Sequence, residues 1–152
     1  MIFLDETVFT KNTLPKRTFA SKGKNMSIDM KDIGRGYWSA LAGIATDGTV
    51  AHLKVTKKAI NAKKFIEWLR KLRQKLGDEH ACLYLDNLAV HKTPKVLKTY
   101  EKLQLSPIFS STYDPNGNPA ESIFGQVKKR YKEKRLNLLA NGKVVDEDAL
   151  IR

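Results

Sequence analysis

The chain has 152 residues, of which 41% are hydrophobic, so it is long enough to form one domain around a real core. Its formal net charge is +12, and this excess favours a polyanionic partner such as nucleic acid over a plain solvated basic surface. A single cysteine excludes an internal disulfide. No apolar stretch approaches the ~20 residues that a membrane-spanning helix needs.

The first half of the chain predicts three strands followed by a helix. A strand at 1–9 precedes a long basic loop or irregular hairpin at 10–36, strands at 37–46 and 49–56, and a helix at 61–76. Asp47-Gly48 between two strand-like runs is a strong hairpin signal. Asn61 suits the capping position before the helix, and Gly77 suits the position after its last turn.

The second half of the chain alternates strands and helices. The predicted elements are a strand at 81–86, a helix from Pro94 to residue 103, a strand at 104–109 and a helix from Pro119 to residue 135. Each helix starts with a capping residue, Thr93 or Asn118, followed by proline at the first helical position.

The order β-β-β-α-β-α-β-α predicts an α/β fold, in which a mixed five-stranded sheet is flanked by helices. Residues 1–135 are predicted to form the domain, and residues 136–152 an incomplete C-terminal extension. The extension has a turn at Asn141-Gly142 and a helix start at Asp146. We expect the chain to stop before that helix could bury much.

Two carboxylates end apolar, strand-like runs. Asp5 follows residues 1–4, and Asp86 follows residues 81–85. An unpaired buried carboxylate is costly, so each acid either marks the end of its strand or faces a cation, a metal ion or solvent. If the first and fourth strands are neighbours, both acids meet at one sheet edge, where open α/β sheets bind ligands. Glu6 points to the opposite face if the strand continues, so it is a weaker candidate than Asp5 for the site residue of this strand.

A third acid, Glu121, opens the last long helix. It stands three residues after Asn118, the position of the acid in a capping box, and capping alone could explain it. The helix pattern supports a second interpretation, because one stripe combines this acid with a glycine that leaves room for a ligand and with phosphate-holding lysines. That stripe is Glu121, Gly125, Lys128 and Lys132, and the predicted core stripe is Ala120, Phe124, Val127 and Tyr131.

Three carboxylates without a His/Cys cluster suit hard ions such as Mg²⁺ or Mn²⁺. Two such ions about 4 Å apart can activate a water or hydroxyl and stabilise the leaving oxygen of a phosphodiester. Zinc is disfavoured, because His52, His80 and His91 lack the ligand spacing of a zinc site.

Three motifs resemble the catalytic domain of DDE transposases, the DDE superfamily endonucleases, and most closely those of the mariner superfamily and its bacterial insertion-sequence relatives. They are Phe3-Leu4-Asp5-Glu6-Thr7, Leu85-Asp86-Asn87 followed by His91-Lys92-Thr93, and Tyr113-x-Pro115-x-x-Asn118-Pro119-x-Glu121. The 34 residues between Asp86 and Glu121 are the spacing typical of that superfamily. The resemblance covers nearly the whole chain and implies a ribonuclease-H-like fold.

The resemblance also implies an activity, namely metal-dependent cleavage of DNA phosphodiesters followed by strand transfer in DNA transposition. Asp5, Asp86 and Glu121 would form the catalytic triad and bind two Mg²⁺ ions, for which Mn²⁺ substitutes. Residues that would orient this triad are Asn87, His91 and Asn118, although a loop or helix-cap role suits His91 equally. The residues expected to hold DNA are Lys128, Lys129, Arg130, Lys132, Lys16, Arg17, Lys22 and Lys24.

Transposases of this kind carry helix-turn-helix modules before the catalytic domain, whereas the first catalytic strand here begins at Met1. We therefore expect a separate or missing end-recognition domain, with transposon ends and target DNA as partners, a homodimer in the synaptic complex, and no membrane. Because the expected substrate is DNA, we expect the protein to be located in the nucleus of a eukaryote or in the cytoplasm or nucleoid of a bacterium. Two alternatives stay open: a domesticated, non-catalytic DNA-binding protein, and a ribonuclease-H-type nuclease, which usually has a fourth acid in its site.

Overall fold

The predicted succession of strands and helices is present in the computed structural model, which describes residues 1–10, 22–23, 36–111, 118–143 and 145–151. The strands are β1 (Ile2–Thr10), β2 (Tyr37–Ala45), β3 (Val50–Thr56), β4 (Ala81–Leu85) and β5 (Leu105–Phe109). The helices are α1 (Ala62–Leu76), α2 (Pro94–Lys102), α3 (Pro119–Ala140) and α4 (Glu147–Ile151), and a 3₁₀ helix spans Ala89–Lys92. The predicted α/β class and five-stranded mixed sheet are confirmed. Most of the predicted basic loop at 10–36 lies outside the described residues.

The sheet has the strand order β3-β2-β1-β4-β5, with β1 in the centre. β1 runs antiparallel to β2 and parallel to β4, so the first and fourth strands are neighbours. The β2–β3 hairpin closes as predicted at Asp47-Gly48, where Gly48 has a φ of 84° and the Thr49 N–H donates to the Asp47 carboxylate at 2.9 Å.

Helices cover both faces of the sheet. The face that we call the α1 face takes Ile2, Leu4 and Glu6 from β1, because side chains alternate along a strand. The opposite face, the α3 face, takes Phe3, Asp5, Thr7 and Phe9. Members of the core on the α1 face include Ile2, Leu4, Leu41, Phe65, Trp68, Leu69, Leu72, Leu83 and Leu85. The core on the α3 face is Phe9, Ala40, Ala42, Ile44, Ala120, Phe124 and Tyr131.

The start of α1 follows the prediction, and the start of α2 departs from it. Asn61 caps α1, because its side chain accepts a hydrogen bond from the Lys64 N–H at 3.0 Å. Thr93 precedes Pro94, but its side chain makes no capping bond. The Thr93 hydroxyl instead donates to the Val90 carbonyl at 3.2 Å. Thr93 is also the residue that ends a preceding 3₁₀ helix, Ala89–Lys92, which the sequence analysis missed.

The C-terminal part of the chain packs more tightly than predicted. α3 ends at Ala140 and not near residue 135. The Arg135 side chain is buried and donates from Nε to the Glu147 carboxylate at 2.7 Å, and the Tyr131 hydroxyl donates to the same carboxylate at 2.6 Å. The expectation that the extension buries little was therefore wrong. Val127, predicted to be core, is 43% exposed.

In the part of the chain that the structure describes, none of the helices combines the length and apolar character needed to cross a membrane.

Candidate active site

The candidate site lies at one end of the central strand pair. Asp5 is in β1 and faces α3, opposite Ala42 of β2. The β1–β4 ladder comprises the pairs Ile2–Leu83 and Phe3–Tyr84. Continuing this register by two residues sets Asp5 level with Asp86, which directly follows β4. The first two predicted acids thus reach the same end of the sheet.

Asp86 is held by His91. The His91 Nδ1 lies 3.0 Å from Asp86 Oδ1, and the Leu88 N–H donates to the same oxygen at 3.3 Å. Burial raises the pKa of Asp86, but the hydrogen bonds from His91 and Leu88 outweigh burial and leave this pKa below its ordinary value. A carboxylate only accepts hydrogen bonds, so Nδ1 of His91 must carry the hydrogen.

His91 itself belongs to the 3₁₀ helix and is 1% exposed. Its ring packs against Phe65 of α1, with ring centroids 4.6 Å apart. Sequence analysis left a loop role and a site role equally open for His91. The signal that could have favoured the site role is its position five residues after Asp86, because one short helical turn can bring such a side chain back to the acid.

Asn87, another predicted orienting residue, uses both polar atoms of its side chain for hydrogen bonds to residues other than the three acids. Its amide donates to the Ser110 carbonyl, and its side-chain oxygen accepts from Lys92. The Lys92 ammonium also lies 4.8 Å from the centre of the Phe109 ring. Asn87 therefore connects the segment after β4 to the end of β5, and sequence analysis missed the contribution of Lys92 to this connection.

Asn118 makes two side-chain hydrogen bonds at the start of α3. Its Oδ1 accepts from the Ala120 N–H at 3.1 Å, which is the predicted N-cap. Its Nδ2 donates to the Leu4 carbonyl, also at 3.1 Å. The second bond was not predicted and connects the start of α3 to β1 beside Asp5. Residues 112–117, which include most of the motif before Asn118, lie outside the described residues.

Glu121 stands in the first turn of α3, with its side chain exposed. Within the described part of the chain, its carboxylate has no hydrogen-bond partner, so the reciprocal bond of a capping box is not formed there. Its charge nevertheless acts on Asp5, together with that of Asp86. Asp5 is therefore within electrostatic reach of both other acids.

The electrostatics of the site centre on Asp5. Burial raises the pKa of Asp5 to about 6, and the charges of Glu121 and Asp86 add to the increase. Two other groups lower the pKa of Asp5. The Glu6 N–H donates to Asp5 Oδ1 at 2.8 Å, and Lys128 contributes its positive charge. Asp5 thus carries an ionised charge that its protein surroundings only partly compensate.

The donor atoms suit a hard divalent cation, because all three acids offer carboxylate oxygens. Among the residues described, no group of three or more Asp, Glu, His or Cys side chains is close enough to hold an ion. The exposed Glu121 carboxylate has no described hydrogen bond that would prevent it from turning towards Asp5.

The basic residues predicted to hold DNA divide into two groups. Lys128, Lys129, Arg130 and Lys132 lie on α3, and Lys128 is near enough to Asp5 to lower its pKa. A Cβ atom added at Gly125 would meet no atom within 4 Å, so the surface between Glu121 and Lys128 is open. Lys22 is described and exposed. Lys16, Arg17 and Lys24 lie outside the described residues.

Comparison with known proteins identifies the family. The sequence matches the family described as "DDE superfamily endonuclease" over residues 1–138. No curated protein sequence matches the chain.

Several solved structures share the fold. A Mos1 transposase paired-end complex with left transposon end aligns with a TM-score of 0.67 and 15% identity, over 99% of this chain and 49% of that one. The catalytic domain of Mos1 mariner transposase aligns with a TM-score of 0.65 and 15% identity, over 98% of this chain and 64% of that one. A chain of the simian T-cell lymphotropic virus intasome in complex with PP2A regulatory subunit B56 gamma aligns with a TM-score of 0.65 and 14% identity, over 98% of this chain and 44% of that one. The chain thus spans 44 to 64% of the length of these structures, and at such identities the likeness concerns the fold.

Proposed function

The chain belongs to the DDE superfamily endonucleases, and from this premise we propose that it cleaves DNA phosphodiesters and transfers DNA strands, with Asp5, Asp86 and Glu121 as its catalytic triad. In the first step water cleaves a P–O bond, which leaves a 3′-hydroxyl and a 5′-phosphate. In the second step that 3′-hydroxyl attacks a phosphodiester of the target DNA and displaces another 3′-oxygen.

One observation carries the proposal. Asp5 sits in the central strand, and the charges of Asp86 and Glu121 both act on it and add to the rise in its pKa to about 6. These acids come from three separate elements, β1, the end of β4 and α3. A carboxylate whose ionised form is destabilised by burial and by two neighbouring acids is stabilised by a bound cation, because the cation favours the ionised form.

We propose Mg²⁺ as the natural ion, with Mn²⁺ substituting and two ions in the complete site. Mos1 structures that share this fold have been solved with Mn and with Mg. Bound ions of this kind activate the attacking oxygen and stabilise the leaving oxygen of a phosphodiester. Asp5 and Asp86 would hold them from the sheet, and Glu121 would close the site from α3.

The protein's own residues would orient these ligands. His91 holds one oxygen of Asp86 through Nδ1, which leaves the second carboxylate oxygen for an ion. DNA would lie along α3, where Lys128, Lys129, Arg130 and Lys132 supply positive charge and Gly125 leaves space. Because such binding releases counterions from DNA, its affinity should fall steeply with salt.

The wider assembly is also a proposal. We propose transposon ends and target DNA as partners, a homodimer in the synaptic complex, and end recognition by a part of the protein outside this domain. One of the Mos1 transposase structures that share this fold is a paired-end complex with the left transposon end. The site of action would be the nucleus in a eukaryote or the nucleoid in a bacterium.

The test is nicking of supercoiled plasmid with Mn²⁺ by the wild type, Glu121→Gln and the control Glu133→Gln. Glu133 is an exposed acid on the same helix, so both variants lose one negative charge from α3. We expect Glu121→Gln to lower the nicking rate by at least about 100-fold, in line with the loss of one preorganised charge-stabilising group, and Glu133→Gln to nick like the wild type.

Other outcomes would identify a different function. Equal nicking by Glu121→Gln and the wild type would remove Glu121 from the site. DNA binding that is independent of metal, without any cleavage, would indicate a non-catalytic DNA-binding protein. Preferential cleavage of RNA in RNA–DNA hybrids would indicate a ribonuclease-H-type nuclease.

A further inference from the structure

The side chain of Asn118 connects two parts of the chain that carry different acids. Its oxygen accepts from the Ala120 N–H at 3.1 Å and so caps α3, the helix of Glu121. Its nitrogen donates to the Leu4 carbonyl at 3.1 Å, and the next residue in β1 is Asp5. The side-chain amide of Asn118 is therefore hydrogen-bonded both to the start of α3 and to the strand that carries Asp5.

The acceptor of this second bond lies where the central strands separate. β1 and β4 pair at Ile2–Leu83 and Phe3–Tyr84. The Leu4 carbonyl comes directly after these pairs and bonds to Asn118 from α3. Asp5 is one residue further along β1, so the bond to Asn118 reaches the peptide group that directly precedes it.

We propose that Asn118 is a positioning residue that sets the distance between Glu121 and Asp5, separately from its role as a helix cap. This inference rests on the proposed function, since it concerns the geometry of the same acids. Its cap stabilises α3, and its bond to Leu4 fixes where α3 begins relative to β1. Without that bond, Glu121 would approach Asp5 with a wider range of distances, and a shared ion would be bound less tightly.

The two roles can be separated by substitution. Asn118→Ser keeps a side-chain oxygen that can accept from the Ala120 N–H, but it has no amide to donate to Leu4. Asn118→Ala removes both bonds. Asn61 offers a matched control, because it caps α1 through the Lys64 N–H, far from the three acids in sequence and on the opposite face of the sheet.

Three measurements on the full chain test the proposal. They are the thermal midpoint, the Kd for Mn²⁺ by calorimetry, and the nicking rate of supercoiled plasmid. We expect Asn118→Ser and Asn61→Ser to keep the thermal midpoint of the wild type. Only Asn118→Ser should weaken Mn²⁺ binding and nicking, each by about 10- to 100-fold, as is usual when a residue that orients a metal ligand is lost.

A metal-free signal reports the bond itself. The Asp5 amide belongs to the same peptide group as the Leu4 carbonyl, so its ¹⁵N shift should change in Asn118→Ser and stay constant in Asn61→Ser. An active wild type beside an Asn118→Ser variant with equal Mn²⁺ affinity and equal nicking rate would overturn the positioning role. A wild type that neither binds Mn²⁺ nor nicks DNA would instead overturn the proposed function, and the positioning role with it.

Discussion

The two faces of the central sheet differ in what limits their packing. On the α1 face, Phe65, Trp68, Leu69 and Leu72 are all 0% exposed, and they fill the space over β1 and β4. On the α3 face, Asp5 interrupts the apolar side chains of β1 between Phe3 and Phe9, and its pKa is raised to about 6. One sheet therefore combines a face whose side chains stabilise the fold with a face on which ionised groups remain at a cost in stability.

The difference teaches that stability and the candidate chemistry are separable in this chain. Substitutions on the α1 face should lower the free energy of unfolding and leave the acids in place. Substitutions of the acids should abolish the chemistry without lowering the free energy of unfolding. The predictions below test this division, and the second concerns a residue that contacts both faces.

The largest effect is expected for Leu69→Ala on the α1 face. Leu69 is 0% exposed, and truncation of such a leucine lowers the free energy of unfolding by about 2–5 kcal/mol. Urea denaturation measures the loss of unfolding free energy. The nicking rate, at a temperature where the variant stays folded, shows whether the candidate site is intact. A folded variant with little nicking would show that the two faces are not independent.

His91 is expected to have the next largest effect, because it packs on Phe65 of the α1 face and also holds Asp86. His91→Phe keeps an aromatic ring but loses the donor, and should slow nicking by about 10- to 100-fold. His91→Asn places an amide donor near the position of Nδ1 and should slow nicking less. The nicking rates of the wild type and both variants, measured across Mn²⁺ concentrations, test this order. Equal rates for His91→Phe and the wild type would contradict the prediction.

Asp5→Asn should stabilise the metal-free protein, and the gain should depend on pH. The pKa of Asp5 is about 6 in the folded state, above its ordinary value of 3.8, so folding favours the protonated form. The stability of the wild type therefore falls as pH rises from about 4 to 6 and stays low above that range. After allowance for solvent screening, we expect a gain of about 1 kcal/mol at pH 7.5.

Denaturation in the presence of a chelator, at pH 7.5 and near pH 4, would measure this gain for Asp5→Asn. The gain should disappear at the lower pH. A gain of equal size at both values would show that the charge of Asp5 is not its cause.

The smallest effect is expected for Gly125→Ala. Glycine inside a helix costs about 0.5–1 kcal/mol relative to alanine, and the added methyl group would meet no atom within 4 Å. The variant should therefore be more stable than the wild type. It should bind DNA more weakly if DNA crosses this surface, whereas Gln126→Ala on the same helix should bind like the wild type. Stabilisation with unchanged DNA affinity would place the DNA path elsewhere.

Much of the fold could be predicted from local patterns. Apolar runs, the Asp47-Gly48 turn and the cap-proline pair before α3 each depend on neighbouring residues only. The 3₁₀ helix at Ala89–Lys92 was missed because four residues are too few to show a helical period. The end of α3 was misplaced because Arg135 looks like a solvated residue until its buried partner, Glu147, is known.

The candidate site was predictable to a similar degree. The acids Asp5, Asp86 and Glu121 could be selected because each has a distinctive sequence context, but their catalytic roles remain proposals. The bond from Asn118 to Leu4 could not be predicted, since it joins residues 114 positions apart. Its formation depends on the strand order, which places β1 beside β4, and local patterns carry no information about that order.

The central position of β1 has a consequence for how the protein forms during synthesis. β1 precedes every other strand in the chain, yet it must pair with β4, and α3 follows later still. Contacts across such long separations form slowly, because closing the intervening loops costs entropy. A ribosome-bound chain can therefore hold β1 against β2 well before the third acid has been made. Under the proposed function, a growing polypeptide has no complete nuclease site until α3 has emerged.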